Sequence, residues 1–175
     1  MVKYAAFLRG INVAGQKLIK MAALKAMMEE LGYDQVSTYI QSGNILFESN
    51  EKITASIEQI IKKGIKDTFT FDVPVIVLPV SRIVEILYNN PFATSEAEES
   101  KIYYTLLGSI PNNENAQRLI SMANETDSFI VYENVVYIKV SVKYSDSKFS
   151  NNMIEKVLKV EATTRNHATL LKMSH

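Results

Sequence analysis

The feature that most constrains this chain is the order in which its hydrophobic period changes. Val2–Leu8 is apolar at nearly every position, the pattern of a central strand covered on both faces. Arg9-Gly10-Ile11-Asn12-Val13-Ala14-Gly15 follows as a glycine-punctuated loop. Met21, Leu24, Met27, Met28 and Leu31 then recur at helical spacing, and Gly32 sits where a helix ends. Those methionines read as core filler on an ordinary amphipathic face. Val36–Gln41 and Asn44–Glu48 are short strands around a Ser42-Gly43 turn. Asn50 is placed to cap a helix whose apolar stripe is Ile53, Ile57, Ile60, Ile61 and Ile65. Val73–Leu78 is a strand that contains Pro74, and a residue with no N–H to give a ladder belongs at a sheet edge. The resulting order, βαββαβ, is the split-βαβ unit of ferredoxin-like folds, with its first strand central and its fourth at an edge.

The second half follows the same order. Ser81 is placed to cap a short helix with Ile83, Ile86 and Leu87. The polar, acidic run from Asn89 to Ser100 reads as a linker or mobile loop. Ile102–Leu107 is a strand, and Asn112 starts a helix carrying Ala116, Leu119, Ile120 and Ala123. Phe129–Tyr132 and Val135–Val140 form a hairpin around Glu133-Asn134, and Ser150 caps a helix with Met153, Ile154 and Val157. Asn166 caps a final short helix, His167–Met173. The expected fold is therefore α+β, with two ferredoxin-like (α-β plait) subdomains spanning residues 1–80 and 81–175. The second is βαββα plus a C-terminal helix. No repeat is visible in the residues themselves.

Composition narrows the function classes. The chain has no cysteine, which removes disulfides, thiolate nucleophiles and Cys-ligated zinc together. With two histidines, metal binding would fall to carboxylates, and Glu96, Glu98 and Glu99 read as a solvated acidic run. No cofactor is implied. Nineteen basic residues balance nineteen acidic ones, which argues against a dedicated nucleic-acid binder, whose affinity comes mostly from phosphate contacts. The N-terminal apolar run is too short for a signal peptide, and no stretch is long and apolar enough to span a bilayer. The expectation is a cytoplasmic protein with no membrane partner; its oligomeric state is left open.

Three polar clusters stand out from the amphipathic background: Arg9-Gly10-Ile11-Asn12, Gln41-Ser42-Gly43-Asn44 and Thr163-Thr164-Arg165-Asn166. Leu8-Arg9-Gly10-Ile11-Asn12-Val13, Tyr39-Ile40-Gln41-Ser42-Gly43-Asn44 and Thr164-Arg165-Asn166 together resemble the signature segments of the bacterial "domain of unknown function sixteen-ninety-seven" family. The resemblance spans essentially the whole chain. It implies two α-β plait subdomains and a cytoplasmic bacterial protein, and it carries no established activity. Where that family has an aromatic residue after the Arg-Asn pair, this chain has His167.

Arg9, Asn12, Ser42, Asn44, Arg165 and Asn166 are the candidate ligand-binding residues. An arginine beside glycine-freed or helix-terminal amides suits an anion. The same residues also serve as turns and caps, and both readings stand at this point. The sequence offers no acid/base pair, nucleophile triad or metal set, so no catalytic residue is named and whether the chain is an enzyme stays open. If the first and third strands ran parallel, the Arg9 loop and the Ser42-Gly43 turn would lie at opposite sheet ends, roughly 17–20 Å apart, too far for one small ligand. Three readings follow. The first is a site for a small anionic or nucleotide-like ligand. The second is a protein-interaction or oligomerisation module. The third is an RNA-binding sheet that uses Tyr4, Tyr39, Phe47, Tyr103 and Tyr104.

Overall fold

The computed structural model describes residues 1–92, 101–141 and 147–175. The acidic run at Glu96, Glu98 and Glu99, and most of the expected linker, lie outside the described residues. The chain divides into two units, Met1–Ile83 and Val84–Ser174. The first contains β1 (Val2–Leu8), α1 (Met21–Glu30), β2 (Asp34–Tyr39), β3 (Asn44–Ser49), α2 (Thr54–Phe69) and β4 (Val75–Pro79). Its sheet order is β2-β3-β1-β4, and every neighbouring pair is antiparallel. A helix, α3 (Val80–Tyr88), carries the chain onward. The second unit contains β5 (Ile102–Leu107), α4 (Asn113–Ile120), β6 (Asp127–Tyr132), β7 (Val135–Val140), α5 (Asn151–Leu158), β8 (Ala162–Asn166) and α6 (His167–Lys172). Its sheet order is β6-β7-β5-β8, again antiparallel throughout. The fold is thus α+β with two plait-like subdomains. The second contains one strand beyond the expected βαββα, β8, in a segment whose residues suggest a helix cap.

Each unit is built as its periodicity requires. Leu24, Met27 and Met28 of α1 and Ile57, Ile61 and Ile65 of α2 are buried against Ala6, Leu8, Ile45, Phe47, Val75 and Val77 of the sheet. Full burial of one such side chain contributes about 1.5–3 kcal/mol. Gly32 follows the α1 C-cap at φ +87°, the left-handed geometry that glycine adopts at no steric cost. Asn112, Ser150 and Asn166 accept from the third backbone N–H beyond themselves, as N-caps do. Two expected caps are not formed. The α2 N-cap is Ile53, whose N–H is taken by Glu51 Oε1 rather than by Asn50. Ser81 lies within α3.

The sheet edges are managed in parallel ways. In β4 the Val77 N–H points away from the sheet and donates to Glu58 Oε1 of α2 (2.9 Å), and the strand ends in Pro79. In β8 the Ala162 N–H donates to Glu155 Oε1 of α5 (2.8 Å), and its carbonyl accepts from Asn151 Nδ2 (2.9 Å). One carboxylate from the second helix of each unit thus covers the edge strand that follows it, a structural echo with no counterpart in the residue order. Edge strand β2 is broken by a bulge between Asp34 and Ser37, with Gln35 at φ +51°. Among the described residues no helix is long and apolar enough to cross a membrane.

Candidate functional site

The first two polar clusters meet. β1 and β3 are antiparallel neighbours with Phe7 opposite Asn44, because a split-βαβ unit makes β1 parallel to β2 and β2 antiparallel to β3. The expected separation of the Arg9 loop from the Ser42 turn is therefore corrected: both lie at one sheet end. Leu8 N donates to Gly43 O (2.8 Å), and Arg9 N to Pro74 O (3.0 Å). Asn12 Nδ2 donates to Ile19 O (2.9 Å) and Gln41 O (2.8 Å), while its Oδ1 accepts from Ile19 N (2.8 Å). One amide side chain therefore closes its own loop and ties that loop to the neighbouring turn. Ala14 and Gly15 both have positive φ, which gives the tight primed turn between Val13 and Gln16.

Asn44 is fully buried, and its Nδ2 donates to Tyr39 O and to Ser42 Oγ, both at 2.9 Å. Gly43 has φ +77°, and a Cβ there would sit 2.7 Å from Leu8 Cβ and 2.8 Å from Ile11 Cδ1. The Ser-Gly-Asn turn therefore admits only glycine at its centre. The Arg9 side chain, at the rim of this assembly, is half-buried. A shallow hollow of about 610 Å³ elsewhere on the unit is lined by Lys3, Lys25, Glu29 and Glu48, a mixture of charges that suits no ligand of one sign.

Arg165 and Asn166 belong to the second unit and end strand β8, and Asn166 is at the same time the expected N-cap of α6. Arg165 is 8% exposed on β8. Its Nη1 donates to Thr163 Oγ1 (2.7 Å) and Thr164 O (2.9 Å). Burial lowers the guanidinium from its usual value to about 10, so it stays cationic at neutral pH. Asn166 is exposed, and its Oδ1 accepts from Thr169 N (2.9 Å) as the α6 N-cap.

The register gathers further residues around Arg165, of which the sequence pointed only to Tyr104, as a strand aromatic. Ile130 pairs with Tyr137, Tyr137 with Tyr104, and Tyr104 with Arg165. Directly opposed residues share a face, so these four form one row across all four strands. Tyr104, at the middle of the row, is fully buried. Its hydroxyl accepts from Asn90 Nδ2 (2.8 Å) and lies 2.8 Å from His167 Nδ1. The phenol oxygen thus takes the Asn90 amide proton and shares a hydrogen bond with the imidazole. The Tyr104 ring packs edge-on against Tyr137 (5.8 Å between centroids) and beside His167 (5.9 Å). Tyr137 also donates to Ile86 O (3.1 Å). At the β6 end of the row is a pocket of about 360 Å³ lined by Asn89, Pro91, Ile130, Tyr132 and Tyr137. Only two signals in the sequence bore on this arrangement: the strand tyrosines, and a histidine where the family carries an aromatic. The pairing that joins them depends on register.

The expected RNA-stacking aromatics are not displayed as a set. Tyr4, Phe47 and Tyr104 are buried, and Tyr4 and Phe47 pack on each other within the first core. Among the described residues no group of three or more histidines and carboxylates is placed to hold a metal ion.

Comparison with known proteins agrees with this architecture. No curated protein matches the chain. A solved structure described as that of the conserved bacterial protein SP0830 from Streptococcus pneumoniae superposes with a TM-score of 0.77 at 23% identity, over 99% of this chain and 97% of that one. At that identity the likeness speaks to the fold. The family model described as "Protein of unknown function (DUF1697)" matches residues 1–137, well over half of the chain and both of its first two polar clusters, so the protein belongs to that family.

Proposed function

We propose that the second unit binds a small ligand combining a planar ring with an anionic group, nucleotide-like in its chemistry. The observation that carries this reading is the row Ile130–Tyr137–Tyr104–Arg165, which runs from an aromatic-walled pocket to a buried cation past a phenol–imidazole–amide cluster. Neighbouring strands lie about 4.8 Å apart, so the backbones of Tyr137 and Arg165 are roughly 10 Å apart, within reach of one nucleoside phosphate. Pockets with apolar walls and a few convergent polar groups are the usual form of a small-molecule site. Within this proposal Arg165 supplies the charge, His167 and Asn90 fix polar atoms, and Tyr132 and Tyr137 flank the ring. Asn166 holds α6, and with it His167, in place.

In the first unit the amides of Asn12 and Asn44 are committed to backbone carbonyls and to Ser42. We read those three residues as the framework that holds the Arg9 loop. The test is a thermal-shift panel of nucleoside mono- and diphosphates, sugar phosphates and inorganic phosphate. Ligand at about 100 times its Kd stabilises by about 2.7 kcal/mol. The reading expects a shift that Tyr132→Ala or Arg165→Met abolishes while each variant stays folded. A shift that both variants retain would refute it.

A further inference from the structure

The pocket of the second unit has a charged neighbour outside the row that ends at Arg165. Two residues along β7 from Tyr137 is Lys139, and side chains two apart in a strand share a face. Register fixes its company. Lys139 pairs with Ser128 of β6 and Ile102 of β5, just as Tyr137 pairs with Ile130 and Tyr104. The pair Ser128–Lys139 therefore lies beside the pair Ile130–Tyr137, which lines the pocket. Ile102 is fully buried, Lys139 is half-buried and Ser128 is exposed, so the polar end of this row is the accessible one.

Lys139 and Arg165 thus share one face of the sheet, and they differ in access and distance. Arg165 is 8% exposed, and its head group is held at its own strand by Thr163 Oγ1 and Thr164 O. The fully buried Tyr104 stands between it and Tyr137. No strand separates Lys139 from Tyr137: a two-residue rise of about 6.8 Å lies between their backbones, against roughly 10 Å from Tyr137 to Arg165. The backbones of Lys139 and Arg165 are about 12 Å apart, two strand spacings across and two residues along. A single phosphate does not sit against both head groups while Arg165 keeps its bonds to Thr163 and Thr164. Two linked anionic groups meet each cation with one of them.

Within the ligand reading above, on which this rests, we propose that Lys139 and Ser128 form a second anion position, and that the ligand class is a nucleoside diphosphate. The ring lies against Ile130, Tyr132 and Tyr137. One phosphate faces Arg165, and the other faces Lys139 and accepts from the Ser128 hydroxyl. The residue types suit this division: arginine is a rigid fork that fixes one position, and lysine a flexible point charge that follows a terminal phosphate. Asn89 and Pro91, which complete the pocket, carry no charge to compete for it.

The test is calorimetric titration of the full chain with AMP, ADP, GMP and GDP, read as the ratio of monophosphate to diphosphate Kd. Wild type is expected to favour the diphosphate of at least one base by about fivefold or more, the size of one partly screened charge contact. Lys139→Gln is expected to bring that ratio to about one and Lys139→Arg to keep it. Lys156→Gln, at an exposed lysine of α5, is expected to keep it as well. Ser128→Asp sets a carboxylate beside the second phosphate at an exposed position, and is expected to lower the ratio whether or not Lys139→Gln folds. Melting without ligand reports the folding of each variant. Monophosphate binding with no preference for the diphosphate overturns the second anion position and leaves the ligand reading standing. A preference that survives both Lys139→Gln and Ser128→Asp does the same. Binding of neither class overturns both.

Discussion

Replacing Asn12 by alanine tests whether the Arg-Gly-Ile-Asn and Gln-Ser-Gly-Asn motifs are one framework. Three hydrogen bonds of 2.8–2.9 Å are lost, and the carbonyls of Ile19 and Gln41 are left without this donor. At a net of about 0.5–1.5 kcal/mol each, the bonds amount to about 2–4 kcal/mol. Alanine must also adopt φ +53°, a left-handed conformation that costs a residue with a Cβ about 1 kcal/mol. Glycine at the same position loses the bonds without that backbone cost, so Asn12→Gly should fall about 1 kcal/mol short of Asn12→Ala. In a unit of this size 1 kcal/mol moves the midpoint by about 4–8 °C, so Asn12→Ala should lower the first unit's melting temperature by at least about 10 °C. The chain has no tryptophan, so far-UV circular dichroism and tyrosine fluorescence are the readouts. A loss below about 0.5 kcal/mol, in the range of an ordinary surface substitution, would refute the argument that this side chain joins the two loops.

Other consequences are equally direct. Gly43→Ala forces a Cβ to within 2.7 Å of Leu8 Cβ at φ +77°, and chemical denaturation should show a loss of about 2–4 kcal/mol. Glu58→Ala and Glu155→Ala each uncap an edge N–H, and hydrogen exchange should show faster exchange at Val77 and Ala162 respectively, with about 1–3 kcal/mol lost. Asn166→Ala should cost about 1 kcal/mol as a lost N-cap, read by thermal melting. Burial first, and the charge of Glu51 second, hold the Tyr4 and Tyr33 phenols above their usual ionisation range. The folded chain therefore keeps those protons more tightly than the unfolded one. Stability should be fully present below pH about 10 and fall as pH rises through it, with two tyrosines in phenolate absorbance titrating late.

What the residues revealed and concealed has physical causes. β1 and β5 were legible to the residue, since Val2–Leu8 and Ile102–Leu107 are strands that run apolar almost throughout. Pro74 correctly marked β4 as an edge. Asn112, Ser150 and Asn166 were readable as caps because a cap is a local interaction. β8 was hidden because Ala162-Thr163-Thr164-Arg165-Asn166 has no apolar alternation. Thr164 bonds across to Thr105, Thr163 accepts from Arg165 within the strand, and the arginine is buried, so a strand resembled a capping segment. The meeting of the first two clusters was missed through one parity error, β1 taken as parallel to β3. A one-step change in strand direction moves a turn to the other end of a sheet. In the Tyr104–His167–Asn90 cluster Tyr104 lies 63 residues from His167 and 14 from Asn90, and no spacing rule along the chain brings them together.

The most direct test of the ligand reading is an amide chemical-shift titration of the isotopically labelled chain with nucleoside monophosphates and inorganic phosphate. The account predicts saturable shifts at Ile130, Tyr132, Tyr137 and His167, with the loops around Asn12 and Ser42 unmoved. Shifts confined to the Arg9 loop, or none at millimolar ligand, would contradict it.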